Sequence, residues 1–232
     1  MRAVVIQFPG SNADFDARDA LGRVLGVHTA TVFHRETTLP AGTDLVVLPG
    51  GFSYGDALRP GAIARTAPVM AAVRRHAERG AFVLGICNGF QILTESKMLP
   101  GALTRNAHQR FESRDVSVRV DADGPFTAGL RGRTLRLPVA HAEGRFVADP
   151  ETLARLDGEG LVALRYVAAE GPLAYNPNGA MRDIAGLYGG PRRNVLGLMP
   201  HPERRAEAAL GGTDGALLFH AVSRVVASAG RV

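Results

Sequence analysis

The stretch Phe82-Val83-Leu84-Gly85-Ile86-Cys87-Asn88-Gly89-Phe90-Gln91-Ile92-Leu93 constrains this chain more than any other. An apolar run of strand length passes without a linker into Gly-x-Cys-x-Gly and then into an apolar run of helical pattern. This is the layout of a nucleophile elbow with sulfur in place of a hydroxyl, a turn found where a strand of a parallel sheet feeds a helix. Side chains at 85 and 89 would collide in so tight a turn, so both positions must be bare. The turn sets Cys87 at a helix N-terminus, where the helix dipole favours negative charge and the N–H of Asn88 is free to stabilise an oxyanion. Without those glycines Cys87 would read as a small buried hydrophobe.

The rest of the chain agrees with such a sheet. Short apolar runs alternate with helical patterns, as in stacked βαβ units. Strands are expected at Ala3 to Gln7, His28 to Phe33, Leu45 to Leu48, Ala81 to Ile86 and Asn194 to Met199. Helices are expected from Ala13 to Leu25, capped by Asn12, from Pro68 to Arg79 with Gly80 just beyond, and from Gly215 to Ala227. Between Thr104 and Val139 the spacing changes: Val116, Val118, Val120 and then Leu135, Leu137, Val139 alternate with polar residues, which reads as antiparallel strands with one wet face. The expected class is α/β, an open, mostly parallel sheet flanked by helices with an antiparallel edge or insertion. With 232 residues, 46% of them hydrophobic, and no linker or repeat, 1–232 reads as a single domain.

Charge and cysteine usage exclude other classes. The net charge is +5, but basic residues are spread among acids rather than clustered, so no nucleic-acid partner is expected. All but one of the 27 basic residues are arginine, and the one lysine, Lys97, lies outside any Gly-Lys-Ser/Thr sequence, so the chain has no Walker-type phosphate loop. No stretch approaches the roughly 20 apolar residues of a membrane span, and the N-terminal residues lack a signal core, so a cytoplasmic protein with no membrane partner is expected. Cys87, the single cysteine, cannot form an internal disulfide.

A thiolate nucleophile needs a base, and the base an orienting partner. Two pairs offer themselves: His201-Pro202-Glu203 after the strand ending at Met199, and His141-Ala142-Glu143 after Leu135 to Ala140. Both follow a strand's C-terminal end, where active sites of open α/β sheets gather. Spacing alone does not choose between them.

The elbow together with the distal His201-Pro202-Glu203 resembles the class I glutamine amidotransferases, whose Cys-His-Glu triad follows that order. Phe8-Pro9-Gly10-Ser11-Asn12, Pro49-Gly50-Gly51-Phe52-Ser53-Tyr54-Gly55-Asp56, Ala140-His141-Ala142-Glu143-Gly144-Arg145-Phe146, Tyr175-Asn176-Pro177-Asn178-Gly179 and Gly197-Leu198-Met199-Pro200-His201-Pro202-Glu203-Arg204 extend the likeness over essentially the whole chain. They point to a purine-biosynthetic branch in which the glutaminase is a separate subunit. The resemblance implies a flavodoxin-like sheet, and a triad of Cys87, His201 and Glu203 with glutamine as the small-molecule substrate. It implies an oxyanion hole from the N–H groups of Asn88 and Gly51 or its neighbour Gly50, and a glutamine pocket lined by Phe52 and Gln91. It implies no metal or cofactor on this chain, and ammonia passed to a synthetase subunit that binds ATP and Mg, with a small third subunit bridging the two. His141 and Glu143 would then shape the mouth of the site. The sequence departs from the family at Ala13, commonly cysteine, and at His108, commonly serine. Two alternatives are another elbow-cysteine hydrolase, such as a γ-glutamyl hydrolase-like enzyme, and a non-catalytic subunit that holds a partner.

Overall fold

The computed structural model describes residues 1–168 and 175–229. Its frame is a nine-stranded sheet. The strands in chain order are β1 (Ala3–Gln7), β2 (Thr29–Phe33), β3 (Leu45–Leu48), β4 (Phe82–Ile86), β6 (Glu112–Val120), β7 (Thr134–His141), β9 (Val162–Val167), β10 (Ile184–Gly189) and β11 (Val195–Leu198). In space they run β2-β1-β3-β4-β11-β10-β9-β6-β7. The first five are mutually parallel and the last four join antiparallel. Strands β5 (Ala102–Thr104) and β8 (Arg145–Val147) form a separate two-stranded ribbon.

Burial explains the division. β3 and β4 are apolar throughout and covered on both faces, as parallel strands under helices must be, whereas β6 and β7 alternate buried and partly exposed positions. The helices are α1 (Asp14–Leu25), α2 (Pro68–Glu78), α3 (Asn88–Glu95), α4 (Pro150–Gly158) and α5 (Asp214–Ala229). α1 lies against α5, and α3 against β3, β4 and β11. None of these helices is long and apolar enough to cross a membrane.

Most expected elements stand within a residue or two of their expected limits. Asn12 is a correction: α1 begins at Asp14, Ala13 occupies the cap position and no side chain caps the helix. The loop before it is tied elsewhere, with Ser11 bridged to Gly51 and the Ala13 N–H donated to Gly50 O at 3.2 Å, which leaves Asn12 turned to solvent. α4, β9, β10 and the β5–β8 ribbon were not expected from the pattern, although Asp149 caps α4 through Thr152 N at 2.8 Å with Pro150 beside it.

One consequence of the topology positions the site. β7 lies four strands from β11, which in a flat sheet would set it roughly 19 Å away. Yet its Pro138 O accepts the N–H of His201 at 2.8 Å, and its Ala140 O lies 3.8 Å from Cys87 Sγ. The antiparallel end of the sheet therefore curls over the C-terminal ends of β4 and β11.

Candidate active site

Cys87 sits between β4 and α3 with φ 50° and ψ −103°, a backbone conformation that costs a non-glycine residue of order 1–3 kcal/mol and persists only where the surroundings impose it. The surroundings do. Cys87 N–H donates to Leu198 O on β11 at 2.8 Å, and Cys87 O accepts from the N–H groups of Phe90 and Gln91. A Cβ at Gly85 would stand 2.5 Å from Leu93 and 2.7 Å from Gly89 O, and one at Gly89 would stand 2.0 Å from Leu48 O. The glycines thus allow α3 to press onto β3 and β4, and the N–H of Asn88, at the first position of the helix, has no acceptor within it.

β11 runs parallel to β4, with Leu198 paired to Ile86, and three residues beyond Leu198 the chain reaches His201. A single 3₁₀ turn, Pro202–Arg205, folds Glu203 back onto it: His201 Nδ1 lies 2.5 Å from Glu203 Oε1, and both residues are buried. With Nδ1–H committed to the carboxylate, Nε2 is the ring atom left for chemistry, and it is buried with no partner among the described residues beyond the nearby Cys87 thiol. Burial by itself opposes a charge on this ring. Glu203 and Cys87 outweigh it and hold His201 above the ordinary histidine range.

Gly50 faces this pair, and Gly51 turns toward the loop at Gly10 to Asn12. A Cβ on Gly50 would lie 2.6 Å from His201 Cε1; Gly51 has φ +135°, and a Cβ there would lie 2.6 Å from Asn12 N. Beyond them Tyr54, Gly55, Asp56 and Leu58 all adopt left-handed φ. Tyr54 OH holds this loop at His34 Nδ1, 2.6 Å away, and Ser53 N–H donates to Asn88 Oδ1 at 3.2 Å. Asp56 Oδ1 lies 3.5 Å from Asn88 Nδ2, and partial burial, reinforced by the charge of Glu143, pushes its carboxyl up to about 6.

The two expected pocket residues differ in placement. Phe52 is 48% exposed and free to meet a ligand's surface. Gln91 is buried with its carboxamide engaged at both ends, Oε1 accepting from Asn88 Nδ2 at 2.9 Å and Nε2 donating to Glu143 O at 2.6 Å.

His141, the competing histidine, is buried but does not meet Glu143. Its Nδ1–H faces Asn106 Oδ1 at 3.1 Å, and that oxygen also accepts Gly144 N–H. Asn178 Nδ2 donates to Gly144 O at 2.8 Å and lies 3.5 Å from His141 Nε2. Burial first, and then the neighbouring His201, pushes His141 down to about 4. Asn106 and Asn178 were not singled out from the sequence, although Asn178 lies in the motif Tyr175 to Gly179 and Asn106 two residues before His108. His108, at the family's serine position, closes the outer loop by meeting Pro177 O at 2.9 Å through Nε2 and accepting Arg110 N–H at Nδ1. Among the described residues no group of three or more His, Cys, Asp and Glu is arranged to hold a metal ion.

Comparison with known proteins agrees with this architecture. The family model for the CobB/CobQ-like glutamine amidotransferase domain matches residues 1–210. The chain is 55% identical over 229 residues to phosphoribosylformylglycinamidine synthase subunit PurQ of Thermus thermophilus, covering 98% of this chain and 100% of that one. It is 56% identical over 223 residues to the subunit of the same name from Bradyrhizobium diazoefficiens, covering 94% and 95%. A chain in the structure of PurLQS from Thermotoga maritima superposes with a TM-score of 0.84 at 39% identity, covering 97% of this chain and 98% of that one. A family match over most of the chain, with relatives more than half identical along nearly their whole length, means that this chain belongs to the glutamine amidotransferases, among the PurQ subunits of phosphoribosylformylglycinamidine synthase.

Proposed function

We propose that Cys87, His201 and Glu203 carry the glutaminase reaction of this subunit. The Cys87 proton passes to His201 Nε2, and the sulfur attacks the side-chain amide carbon of glutamine. The resulting oxyanion is held by N–H groups of Asn88 and of the Gly50-Gly51 loop. Collapse expels ammonia, which takes its proton from His201 Nε2, and leaves a γ-glutamyl thioester on Cys87. Water then gives a proton to His201 and attacks the thioester; the thiol departs and glutamate is released. Glu203 fixes Nδ1–H throughout and stabilises the imidazolium that forms twice in the cycle. The observation that carries this reading is the buried His201–Glu203 contact of 2.5 Å, just beyond the strand whose Leu198 also fixes the strained Cys87 backbone.

Ammonia passes to the synthetase subunit, which binds ATP and Mg and converts formylglycinamide ribonucleotide to formylglycinamidine ribonucleotide in purine biosynthesis, a ligase reaction of the whole complex. A small bridging subunit joins the two. Such a division of labour suits a chain whose one lysine lies outside any phosphate loop. Relatives named PurQ do not favour a γ-glutamyl hydrolase-like enzyme, and intact Cys87, His201 and Glu203 do not suit a subunit that only holds a partner.

The test is Cys87→Ala in the reconstituted complex. Glutamine-dependent synthesis and labelling by a diazo-ketone glutamine analogue should vanish, while synthesis from added ammonia continues. Glutaminase turnover near the native rate in this variant would overturn the reading.

A further inference from the structure

We propose, on the reading of Cys87, His201 and Glu203 as the glutaminase triad, that Arg205 is a positioning residue for His201 and Glu203, acting through Asp115. The turn Pro202–Arg205 is one short 3₁₀ segment with no side-chain cap. So few residues cannot hold their own geometry in water, so the buried His201–Glu203 contact must be aligned from outside the turn.

The outside contacts converge on one rung of the β6–β7 ladder. At the start of the turn His201 N–H donates to Pro138 O. At its end the Arg205 guanidinium reaches Asp115 Oδ2 at 2.8 Å and Gly211 O at 2.6 Å. Asp115 stands directly opposite Pro138 in the ladder, so both ends of the turn are fastened to the same pair of residues. Asp115 is itself braced by Arg136 Nε at 3.0 Å. From the other side α5 presses on the turn: a Cβ at Gly215 would lie 1.9 Å from Pro202 O, which leaves the backbone no room to swing that way.

A second ion pair, Arg204 to Asp16 on α1 at 3.0 Å, also touches the turn, but its side chains are 35% and 42% exposed against 14% and 29% for Arg205 and Asp115. Water screens the former more, so Arg205 sets the position. Its planar fork meets two acceptors in fixed directions at once, which a lysine ammonium on a flexible stem cannot reproduce. The same rung belongs to the strand whose Ala140 O touches Cys87 Sγ, so Arg205 places the histidine on the platform that flanks the thiol.

The experiment uses the reconstituted complex. Arg205→Met should lower kcat for glutamine hydrolysis about tenfold or more, the scale of a small misplacement of reacting groups. KM for glutamine should stay within about twofold, and ammonia-driven synthesis should be unchanged, because glutamine binding and the synthetase are untouched. Arg205→Lys should recover part of the loss. Asp115→Asn should act in the same direction, and the Arg205→Met, Asp115→Asn double variant should be no slower than the slower single one. Should Arg205→Met not fold, Arg205→Lys and Asp115→Asn carry the test. Native kcat in the folded variants, a loss of ammonia-driven synthesis in parallel, or fully additive effects would each overturn the positioning role. Retention of hydrolysis in Cys87→Ala would instead overturn the triad beneath it.

Discussion

Two His-x-Glu segments end at the same thiol, and the chain treats their imidazoles in opposite ways. His201 meets its own Glu203 in a dry setting and is held above the ordinary histidine range; His141 meets only amides and is pushed down to about 4. Each ring is seated against a glycine: a Cβ on Gly50 would lie 2.6 Å from His201, and one on Gly144 would lie 2.4 Å from His141. What differs is the turn between histidine and glutamate. The 3₁₀ turn after Pro202 folds Glu203 inward, whereas Glu143 turns its carboxylate toward Arg105 at 3.6 Å and only its backbone carbonyl toward Gln91. Identical spacing therefore supplies two candidate bases, and the partner at Nδ1 sets their opposite preference for charge: a carboxylate stabilises the charged ring, an amide oxygen in a buried site does not.

The largest effect that could break this contrast is kinetic. His201→Ala should lower glutaminase turnover in the complex by about 10²-fold or more, as loss of a general base does, while His141→Ala costs less than about tenfold once folded. Equal losses would erase the distinction, and an active His201 variant beside a dead His141 variant would reverse it.

Stability against pH tests the same contrast from the other side. For His141 the unfolded chain binds its proton near pH 6.5 and the folded chain near 4, so between these values the unfolded state holds more protons and stability rises with pH. Falling from pH 6.5 to 4 should therefore remove up to about 3 kcal/mol, at roughly 1.4 kcal/mol per pH unit. His201, raised instead, contributes stability that is present below pH 6.5 and lost as pH climbs through its elevated value. Denaturant titrations of the native chain and of His141→Gln should show the acid-side slope flattened in the variant. An unchanged slope would mean that His141 is not held neutral.

The elbow was the most legible part of the fold because its chemistry is local: a strand, two bare positions and a helix within twelve residues, each glycine traceable to one close approach such as Gly89 to Leu48 O. The parallel strands were legible for a similar reason, their burial on both faces being written as unbroken apolar runs. Asn106 and Asn178 were not, since an asparagine that serves a buried histidine looks the same in sequence as one in an exposed turn. Only long-range pairing brings them to His141: Glu112 stands opposite it in the β6–β7 ladder, and the loops are joined by Asn106 N–H to Ala142 O and Ala107 N–H to Asn178 O. Nor could Asn12 be told from a helix cap, because what displaces it is the bridge from Ser11 to Gly51, forty residues along the chain. That His141 meets Asn106 is long-range information of the same kind. The preference for His201 over His141 came from the likeness to a family, rather than from spacing.

The smallest effect sharpens the contrast at the carboxylates. Glu143→Gln keeps the backbone carbonyl that receives Gln91 Nε2 and removes only a charge paired with Arg105, whose side chain is 70% exposed. An exposed pair of this kind is worth about 0–1 kcal/mol, so the variant should lose less than that in stability and less than about threefold in glutaminase turnover. The charge of Glu143 is nevertheless felt at Asp56, whose carboxyl is pushed up to about 6 by partial burial and, after that, by Glu143. Neutralising Glu143 should lower the Asp56 midpoint without returning it to an ordinary aspartate value, because the larger cause remains. Carboxyl-carbon NMR titration of native and variant chains reads this directly. A midpoint that stays put or rises would mean that the two carboxylates do not share the mouth of the site, and that Glu143 differs from Glu203 for some reason other than facing outward.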